Sequence, residues 1–503
     1  MQCSNCGSKD IKNAGVLIRG KSLTRYKQYL CAECGHRGEY VDGTTNNNQE
    51  KISEKKAFVV TSALNNKSID KRFLRLLKYY CQKNSMDLVV IPTRYIHAME
   101  GEEVWYPEEI EEFILEDNIT IKDSKCKILG GLRISATAEN PLSGIDPMSK
   151  GYSLIIGHPQ VQMKTLPVIE GKAPIIWSTG SITENVYSDT KLGYKAAFNH
   201  SASAIVVYLD SDNDLHIRNL NYDGSGFNDL EFRYEIKDGS CVKKKQYIEA
   251  LITGDEHALL RDRDIEDLTY TESDSIVNVL KPKYIVRHDL LDCHSVSHHD
   301  ANNFFARFKK YLKSDHNLEK ELLETKDYLE RTTPKGTRNI IVSSNHNDHL
   351  KRWLMESDPK KDLENAPIYH ELMSKVIRNM IKNPHEDVDP FELWLRDSGL
   401  SVDVEFTSRG SKKILGIEVG LHGDKGPNGT RGSRASLAKL PEKCVIGHSH
   451  SPGWEKGCVQ VGTSSRLDMP YVAGSPSSWR HCHCIIHKNG KRQLIFLNFG
   501  SWR

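Results

Sequence analysis

The feature that most constrains the fold is an ordered series of metal-ligating residue types in the C-terminal half. Each of the first four members follows a short apolar run of the kind that predicts a strand. Strand ends commonly gather the functional side chains of layered α/β folds, so we expect the series to meet at one sheet edge. The series is Gly254-Asp255-Glu256-His257, His288-Asp289, Asn345-His346, His422 and Gly447-His448-Ser449-His450, and the predicted strands are 247–252, 284–286, 340–342 and 414–421.

These residue types suit a centre that holds two divalent ions. Imidazole nitrogens and carboxylate oxygens bind manganese, iron or zinc, and an amide oxygen can complete a coordination shell without adding charge. Two ions about 3.5–4 Å apart can share a carboxylate, activate a water and stabilise both the attacking and the leaving oxygen of a phosphate ester. The pattern therefore predicts a two-metal site for phosphate-ester cleavage.

The order of the motifs resembles the calcineurin-like metallophosphoesterase superfamily, in which Asp-x-His, Gly-Asp-x-x-Asp, Gly-Asn-His, a lone His and Gly-His-x-His follow one another. The resemblance covers residues 245–503 and is nearest to DNA nucleases encoded by bacteriophages. It implies two divalent ions, for which we expect Mn²⁺. It also implies that Asp255, His257 and His450 hold one ion, that Asn345, His422 and His448 hold the other, and that Asp289 bridges them.

The resemblance assigns catalysis to His346, which matches the family histidine that contacts the scissile phosphate and protonates the leaving oxygen. An imidazole that titrates near neutral pH suits this role. His288 and Ser344 depart from the pattern, because the family usually has Gly there and Gly permits backbone conformations that other residues disfavour. Asp292 matches the second acid of Gly-Asp-x-x-Asp and ranks behind the bridging acid as a ligand.

The alternative interpretation is that these are scattered surface residues of a chain with 21 His and 67 acidic residues. Gly157-His158 and Asn199-His200 mimic two motif fragments upstream and out of order, and we interpret both as structural. The full series favours the metal site, because five elements follow the family order and four of them follow a predicted strand.

A second pattern lies at the N-terminus, where two Cys-x-x-Cys pairs are separated by 24 residues, enough for a short hairpin. Four thiolates fill a tetrahedral shell, so the pattern predicts one structural Zn²⁺. A module of about 40 residues has too little core to fold without metal. The predicted ligands are Cys3, Cys6, Cys31 and Cys34.

The predicted zinc module resembles the zinc ribbons of transposases and transcription factors. Basic and aromatic residues interleave in it, a pattern that suits contact with a phosphate backbone and with bases. The alternative is a ribbon that docks protein or is purely structural. The residues of this pattern are Arg19, Lys21, Arg25, Tyr26, Lys27 and Tyr29.

The patterns predict an α/β protein in which a metallophosphoesterase-type β-sandwich flanked by helices follows a smaller α/β domain and a zinc ribbon. Within the accessory domain, 69–82 is predicted to be helical and 194–199 to be a strand. Helices are predicted at 301–332, 366–382 and 391–397. They are expected to cover the sheet of the metallophosphoesterase domain, and they are candidates for contacts in a homo-oligomer. The predicted domains are the zinc ribbon 1–41, a linker 42–56, an α/β accessory domain 57–240 and the metallophosphoesterase domain 245–503.

Three other segments carry chemistry-bearing residues. Lys425, Arg431 and Arg434 lie in a basic loop after His422 and are candidates for binding neighbouring phosphates, the alternative being a solvated loop. The hydroxyl cluster 178–181 lacks a full phosphate-loop pattern and is interpreted as a turn. The cluster 481–484 is interpreted as a hairpin strand instead of a third metal site.

Composition sets limits on partners and compartment. The chain of 503 residues has a net charge of only +2, so any nucleic-acid binding must depend on local patches. No apolar run approaches the roughly 20 residues needed to span a membrane, and the chain opens on the zinc module instead of a signal peptide. The 12 cysteines show no disulfide-scaffold density. We therefore expect a cytoplasmic protein without membrane partners, in the host cytoplasm if it is phage-encoded.

Together these features predict a two-metal phosphodiesterase, a DNA nuclease that degrades or processes DNA during phage infection. One alternative is a phosphomonoesterase or protein phosphatase, because the same metal core serves both reactions. Another is a zinc-ribbon DNA-binding regulator with an inactive phosphoesterase domain. The sequence leaves open the metal, the choice between endo and exo cleavage, the strand preference and the oligomeric state.

Overall fold

The computed structural model describes residues 2–19, 24–44, 50–95, 104–300, 303–469, 472 and 474–503. The chain divides into two compact units, Met1–Gln246 with 476–478 and Tyr247–Ser475 with 479–503. Each unit contains several sheets and helices, so the predicted mixed α/β class is confirmed. The finer domain boundaries stay predictions.

The first unit contains seventeen strands and three α-helices among its described residues. The strands are β1 (Ile11–Arg19), β2 (Thr24–Cys31), β3 (Arg37–Thr44), β4 (Glu50–Ser53), β5 (Ala57–Leu64), β6 (Asp87–Thr93), β7 (Val104–Tyr106), β8 (Asn118–Ile121), β9 (Cys126–Leu129), β10 (Ser153–Ile156), β11 (Gln162–Thr165), β12 (Ile175–Ser178), β13 (Ser203–Leu209), β14 (Leu215–Asn221), β15 (Gly226–Asp229), β16 (Phe232–Lys237) and β17 (Ser240–Lys245). The helices are α1 (Lys71–Asn84), α2 (Asp146–Ser149) and α3 (Lys191–Asn199), with a 3-10 helix at Glu108–Phe113.

These strands form four sheets. The N-terminal sheet has the antiparallel order β3-β2-β1-β7, so the hairpin expected between the cysteine pairs is present. A mixed sheet has the order β14-β13-β5-β6, and a second mixed sheet runs β11-β12-β10-β9-β8-β4. The last is the antiparallel sheet β15-β16-β17.

Helix α1 shows how the first unit builds its core. Its apolar residues recur at helical spacing, and Phe73, Leu77 and Tyr80 are buried. Asp70 caps its N-terminus by accepting a hydrogen bond from the Phe73 N–H, which confirms a helix close to the predicted 69–82. The Phe73 ring stacks on Tyr222 with centroids 4.7 Å apart.

Two expectations for the first unit need comment. The strand predicted at 194–199 is wrong, because this segment lies in α3, where the Thr190 hydroxyl caps the helix through the Gly193 N–H. The segment 42–56 contains the end of β3 and the strand β4, whereas 45–49 lie outside the described residues. Lys21 and the side chains of Arg19, Arg25 and Tyr26 also lie outside the described part of the chain.

The second unit contains eleven strands and eight α-helices among its described residues. The strands are β18 (Ala250–Ile252), β19 (Tyr284–Arg287), β20 (Arg338–Ile341), β21 (Val404–Phe406), β22 (Lys413–Ile414), β23 (Ile417–Glu418), β24 (Lys443–Ile446), β25 (Gly453–Glu455), β26 (Cys458–Gln460), β27 (Cys482–Ile486) and β28 (Arg492–Phe496). The helices are α4 (Arg263–Glu266), α5 (Ile276–Leu280), α6 (Phe304–Lys313), α7 (Leu318–Arg331), α8 (Asn345–Glu356), α9 (Ala366–Lys382), α10 (Pro390–Asp397) and α11 (Arg434–Leu437), with a π-helical turn at Asp267–Thr271.

Two sheets of this unit position the metal-ligand motifs. One has the order β21-β20-β19-β18-β27-β28, with β18 to β21 parallel, and the other has the order β22-β23-β24-β26-β25. Parallel strands bring their carboxyl ends to one edge, so the loops after β18, β19 and β20 lie side by side. The second sheet reaches the same place, because Asp255 forms a bridge with Thr463, which follows β26.

The helices predicted between the motifs are confirmed as α6, α7, α9 and α10, with 301–302 outside the described residues. The hairpin predicted around 481–484 is confirmed as β27 and β28. The strand predicted at 414–421 is instead the two short strands β22 and β23, joined by a turn in which Leu415 and Gly416 have positive φ. Within the described residues, no helix is long and apolar enough to cross a membrane.

Candidate metal centre

The loops after β18 and β19 carry the acidic residues of the site and run alongside each other. The N–H of Glu256 donates to the His288 carbonyl at 3.0 Å, and the N–H of His257 donates to the Asp289 carbonyl at 2.8 Å. These bonds extend the pairing of the two parallel strands beyond their ends. Asp255 and Asp289 are therefore fixed relative to each other by backbone hydrogen bonds.

A first cluster combines the three residues predicted for one ion with the predicted bridging acid. Asp255, His257, Asp289 and His450 are all buried, and each offers a ligand atom within 4.8 Å of the others. The Nε2 of His450 lies 3.0 Å from Nε2 of His257 and 3.1 Å from Oδ2 of Asp255. Four residues from three distant segments thus converge on one point.

The residues predicted for the other ion also come together. Nε2 of His422 lies 3.2 Å from Oδ2 of Asp289, and Nδ1 of His448 lies 3.1 Å from Oδ1 of Asn345. The ring centroids of His422 and His448 are 5.2 Å apart. His288 joins this group, with its Nδ1 3.4 Å from Nδ1 of His422. No local pattern predicts this contact, because His288 stands out in the sequence only as a replacement for Gly.

Asp289 lies between the two groups. Its Oδ2 is 3.8 Å from Nε2 of His257, 3.2 Å from Nε2 of His422 and 3.8 Å from Nε2 of His346. One carboxylate thus faces residues of both predicted ligand sets. A bridging position requires this placement.

The donor set fits divalent cations. Buried polar atoms nearly always have a hydrogen-bond partner, and several here have none among the described residues. They are Oδ1 of Asp255, Oδ1 of Asp289, Nε2 of His288 and Nδ1 of His450. A cation would satisfy such atoms. The ligand atoms of Asp255, His257, Asp289 and His450 form one buried group that could hold a metal ion, and those of Asp255, His288 and His422 form a second that shares Asp255.

Several protonation states also suit metal binding, which requires neutral imidazole and ionised carboxylate. His257 and His422 are exceptions, because burial would lower their pKa but neighbouring carboxylates raise it. Burial lowers the pKa of His288 to about 4 and lowers the pKa of His448 and His450 as well. Burial alone would raise the pKa of Asp289, but the neighbouring His422 and His346 hold it well below its ordinary value.

Asp292 orients two histidines at the centre. Its Oδ1 accepts a hydrogen bond from Nδ1 of His257 at 2.6 Å, which leaves Nε2 of His257 directed at the cluster. Its backbone carbonyl lies 2.6 Å from Nδ1 of His346 and directs that ring in the same way. Although burial lowers the pKa of His257, the hydrogen bond to Asp292 raises it to about 9. Asp292 thus influences the centre by orienting the rings of His257 and His346.

The backbone explains why Ser344 can stand where the metallophosphoesterase pattern has Gly. Ser344 has φ −129° and ψ 176°, an extended conformation that needs no Gly, and its hydroxyl caps α8 by accepting from the His346 N–H at 3.2 Å. His288 also lies outside the left-handed region of backbone conformations, whereas four of the predicted metal ligands lie in it. His257, Asp289, His448 and His450 have φ of 44°, 45°, 78° and 57°, and strain of this kind is typical of functional sites.

Position 447 has no room for a side chain, because Asp255 and His288 approach its backbone closely. A Cβ at this position would lie 2.2 Å from Oδ1 of Asp255 and 3.0 Å from Cγ of His288. Such contacts are too short for real atoms, so the motif Gly-His-x-His can approach the acidic loops only without a side chain here. The N–H of His448 then donates to Oδ2 of Asp255 at 2.8 Å.

A buried ion pair connects the two loops that carry the acidic residues of the site. Arg287 precedes His288 and Glu256 lies between two ligands; both side chains are fully buried, with Nη1 of Arg287 3.0 Å from Oε1 of Glu256. The Tyr270 hydroxyl donates to the same carboxylate oxygen at 2.5 Å, and the Arg287 guanidinium donates to the Thr332 hydroxyl at 3.0 Å. The predicted motifs assign no role to Arg287 or Glu256.

The three candidate phosphate-binding residues lie in different surroundings. Lys425 is 59% exposed and lies 3.6 Å from Asp348, and Arg431 is exposed. Arg434 instead begins α11, packs over Gly453 and lies 3.9 Å from Glu455. Lys425 and Arg431 therefore remain accessible to a phosphate, whereas Arg434 is enclosed by its own neighbours.

The four N-terminal cysteines form a separate group whose Sγ atoms lie within 4.8 Å of one another. Cys3 Sγ lies 3.7 Å from Cys34 Sγ, and Cys6 Sγ lies 3.5 Å from Cys31 Sγ. These separations are close to the roughly 3.8 Å between ligands of a tetrahedral ion with Zn–S bonds of about 2.3 Å. None of the four forms a disulfide. The group could hold a zinc ion.

Comparison with known proteins gives one informative relationship. The chain is 30% identical to protein A1 of Escherichia phage T5 over 473 residues, which are 90% of this chain and 84% of that protein. No family model and no solved structure matches the chain.

The buried ion pair leads to a stability prediction. Arg287→Met leaves the Glu256 carboxylate buried without its partner, so we expect a loss of about 3–5 kcal/mol in the free energy of unfolding. Arg287→Met combined with Glu256→Gln should recover part of this loss. Urea denaturation measures both. The control is Lys283→Met, which removes the pair between the exposed Lys283 and Glu249 and should cost far less, because solvent screens such a pair. Equal losses in Arg287→Met and Lys283→Met would contradict the supporting role.

The cysteine group leads to a prediction about metal content. Cys31→Ser should remove about one zinc equivalent from protein purified with excess Mn²⁺ and should speed proteolysis within residues 2–44, because small modules depend on their metal. Elemental analysis and limited proteolysis provide the two measurements. Cys241→Ser, outside the group, should change neither. Unchanged zinc content in Cys31→Ser would show that these thiols do not hold the ion.

Proposed function

The chain belongs to the family of phage T5 protein A1, and on that premise we propose that it is a two-metal phosphodiesterase that cuts DNA during phage infection. The observation that carries the proposal is the position of Asp289, whose Oδ2 lies 3.8 Å from Nε2 of His257 in one ligand set and 3.2 Å from Nε2 of His422 in the other. A shared carboxylate between two ligand sets is the arrangement that phosphoester-cleaving two-metal centres use.

The ligands divide as the motif order implies. Asp255, His257 and His450 would hold one ion, and Asn345, His422 and His448 the other, with Asp289 between them and His288 as a further candidate beside His422. When bound, the two ions supply an activated water and neutralise charge on the phosphate. We propose Mn²⁺, although the imidazole, carboxylate and amide donors also suit iron and zinc.

His346 is placed to donate a proton to the leaving oxygen. Its Nδ1 lies 2.6 Å from the Asp292 carbonyl, and this contact requires a proton on Nδ1. Nε2 is then the atom that faces the centre, 3.8 Å from Oδ2 of Asp289. The ring is 19% exposed, so a substrate phosphate can reach it. A proton held on Nε2 of the imidazolium can pass to the departing oxygen.

The second unit supports membership of the calcineurin-like metallophosphoesterase superfamily. Its candidate ligands follow the superfamily order and lie after β18, β19, β20, β23 and β24. Two sheets meet at Asp255 through the bridge to Thr463. We propose that they correspond to the β-sandwich of that fold, with the helices between the motifs flanking it.

DNA is the proposed substrate because the relative is a phage protein and because a four-cysteine group accompanies the metal centre. Zinc modules of this kind can contact a phosphate backbone through basic residues, and Lys27 belongs to the hairpin that joins the cysteine pairs. Lys425 and Arg431 add accessible positive charge after His422. The proposed setting is the cytoplasm of the infected cell.

The proposal predicts metal-dependent cleavage that two substitutions abolish. With Mn²⁺, the purified protein should cut DNA, whereas Asp289→Asn and His346→Ala should each lower the rate by about 100-fold or more, because they remove the shared ligand and the proton donor. Gel electrophoresis of linear and circular DNA measures cleavage and separates endo from exo action. Asp327→Asn, at an exposed position of α7 on the same unit, is a control that should leave the rate unchanged.

The alternatives give different outcomes in the same assay. A phosphomonoesterase or protein phosphatase would hydrolyse p-nitrophenyl phosphate while leaving DNA intact. A regulator with an inactive domain would bind DNA tightly and hydrolyse neither substrate. Either result with the wild-type protein would exclude the nuclease proposal.

A further inference from the structure

Helix α6 exposes a row of aromatic rings that the fold does not cover. Phe304, Phe308 and Tyr311 are spaced so that they share one helix face, and they are 71%, 49% and 62% exposed. Phe304 and Phe308 are stacked with centroids 5.9 Å apart and planes at 9°; Phe308 and Tyr311 follow at 6.4 Å and 16°. Scattered apolar residues on a surface are ordinary, but a contiguous row of near-parallel rings marks an interaction site.

The charges of α6 indicate an anionic partner. The helix carries four basic residues and no acidic one. Lys310 is buried against Asp300 at 2.6 Å and anchors the helix to the preceding loop. Arg307, Lys309 and Lys313 are exposed, and no acidic side chain of the described chain lies within ion-pair distance of them. The rings are thus flanked by unneutralised positive charge.

The aromatic row forms one wall of a groove of about 460 Å³. Trp353 of α8 also lines the groove, as do Ser295 and Ser297 from the loop after Asp292. Of the three acidic residues in the lining, Asp300 is paired with Lys310 and Asp358 with Lys361, and Asp362 accepts a hydrogen bond from Asn365. The groove has the size of pockets that hold small organic groups, about 300–1,000 Å³.

Helix α8 connects the groove with the metal centre. Helix α8 begins at Asn345 and His346 in the centre, and Trp353, two turns later, lines the groove. A series of ring contacts runs between them, with His346 and His349 centroids 4.8 Å apart and those of His349 and His298 4.6 Å apart. A chain of nucleotides entering the groove would therefore lead toward His346.

We infer that the aromatic row of α6, defined by Phe304, Phe308 and Tyr311, binds unpaired bases of a single DNA strand and guides its backbone to the metal centre. The inference rests on the proposed nuclease function and adds its substrate class, DNA that is single-stranded or locally unwound. Unpaired bases expose their faces for stacking, and flanking basic residues follow the backbone, which is how single-strand-binding proteins recognise DNA. Bases within a duplex are stacked on each other and cannot insert between protein rings.

The test compares two triple variants. The ring variant is Phe304→Ala, Phe308→Ala and Tyr311→Ala; the control variant is Ile377→Ala, Met380→Ala and Ile381→Ala, which removes exposed apolar side chains from α9. Both are made in full-length protein that also carries Asp289→Asn, so that binding is measured without cleavage. Fluorescence anisotropy with labelled oligothymidine and with a duplex of equal length gives the affinities.

The ring variant should bind oligothymidine roughly 10- to 100-fold more weakly, since each stacked base contributes substantially to affinity, and should bind duplex within about threefold of its parent. The control variant should bind both as its parent does. Unchanged affinity of the ring variant for oligothymidine, or an equal loss in the control variant, would overturn the inference.

Two other partners could cover the aromatic row of α6, and each predicts a different experimental result. If a second copy of the chain covers the rings, light scattering will show a smaller particle for the ring variant, with oligothymidine binding unchanged. If the face lies on anionic lipid, the ring variant will lose binding to vesicles that contain phosphatidylglycerol while it keeps oligothymidine binding. Either result overturns the inference.

A small diester separates failure of this inference from failure of the proposed function. Bis(p-nitrophenyl) phosphate needs only the metal centre, so the ring variant with Asp289 restored should hydrolyse it at the wild-type rate while losing cleavage of single-stranded DNA. If the wild-type protein hydrolyses neither the diester nor DNA yet binds oligothymidine through α6, the nuclease proposal fails and the binding site stands.

Discussion

The second unit depends on the burial of carboxylates and imidazoles at the ends of parallel strands. Charged groups are costly to bury unless they are paired or bound to metal. Asp255 and Asp289 are buried with unpartnered oxygens, and His288 and His450 offer unpartnered nitrogens beside them. Cations could compensate these groups, which the strands, the buried ion pair and the close approach of Gly447 bring together.

The site also concentrates strain that the surrounding structure must hold in place. Four ligands have left-handed backbone conformations, each of which costs on the order of 1 kcal/mol or more. The loops of His257 and Asp289 are fixed by backbone hydrogen bonds to each other, and the Arg287–Glu256 pair ties their bases together. Rigidity of this kind holds ligand atoms in place before an ion arrives.

The sequence predicted the parts of the site that have a local signal. Apolar runs reveal β18, β19 and β20, and the motif residues that follow them do converge. Contacts between distant residues have no such signal. His288 and His422 are 134 residues apart in sequence, and the burial of Arg287 depends on packing against Thr332 at the end of α7. The segment 194–199 was mistaken for a strand because its aromatic residues outweighed the helix cap at Thr190.

The two candidate metal groups differ in whether a substrate could reach a bound metal, and this difference implies different roles. Four thiolates fill a tetrahedral shell and leave no position for substrate. The Asp/His centre instead has one accessible side, where Asn345, His346 and His448 are only half-buried while Asp255, His257 and Asp289 are enclosed. If the centre holds metal ions, a phosphate would reach them from the side that carries His346. The groove beside α6 lies along α8 from the same histidine, so the proposed single strand of DNA would occupy both the accessible side of the centre and the aromatic row.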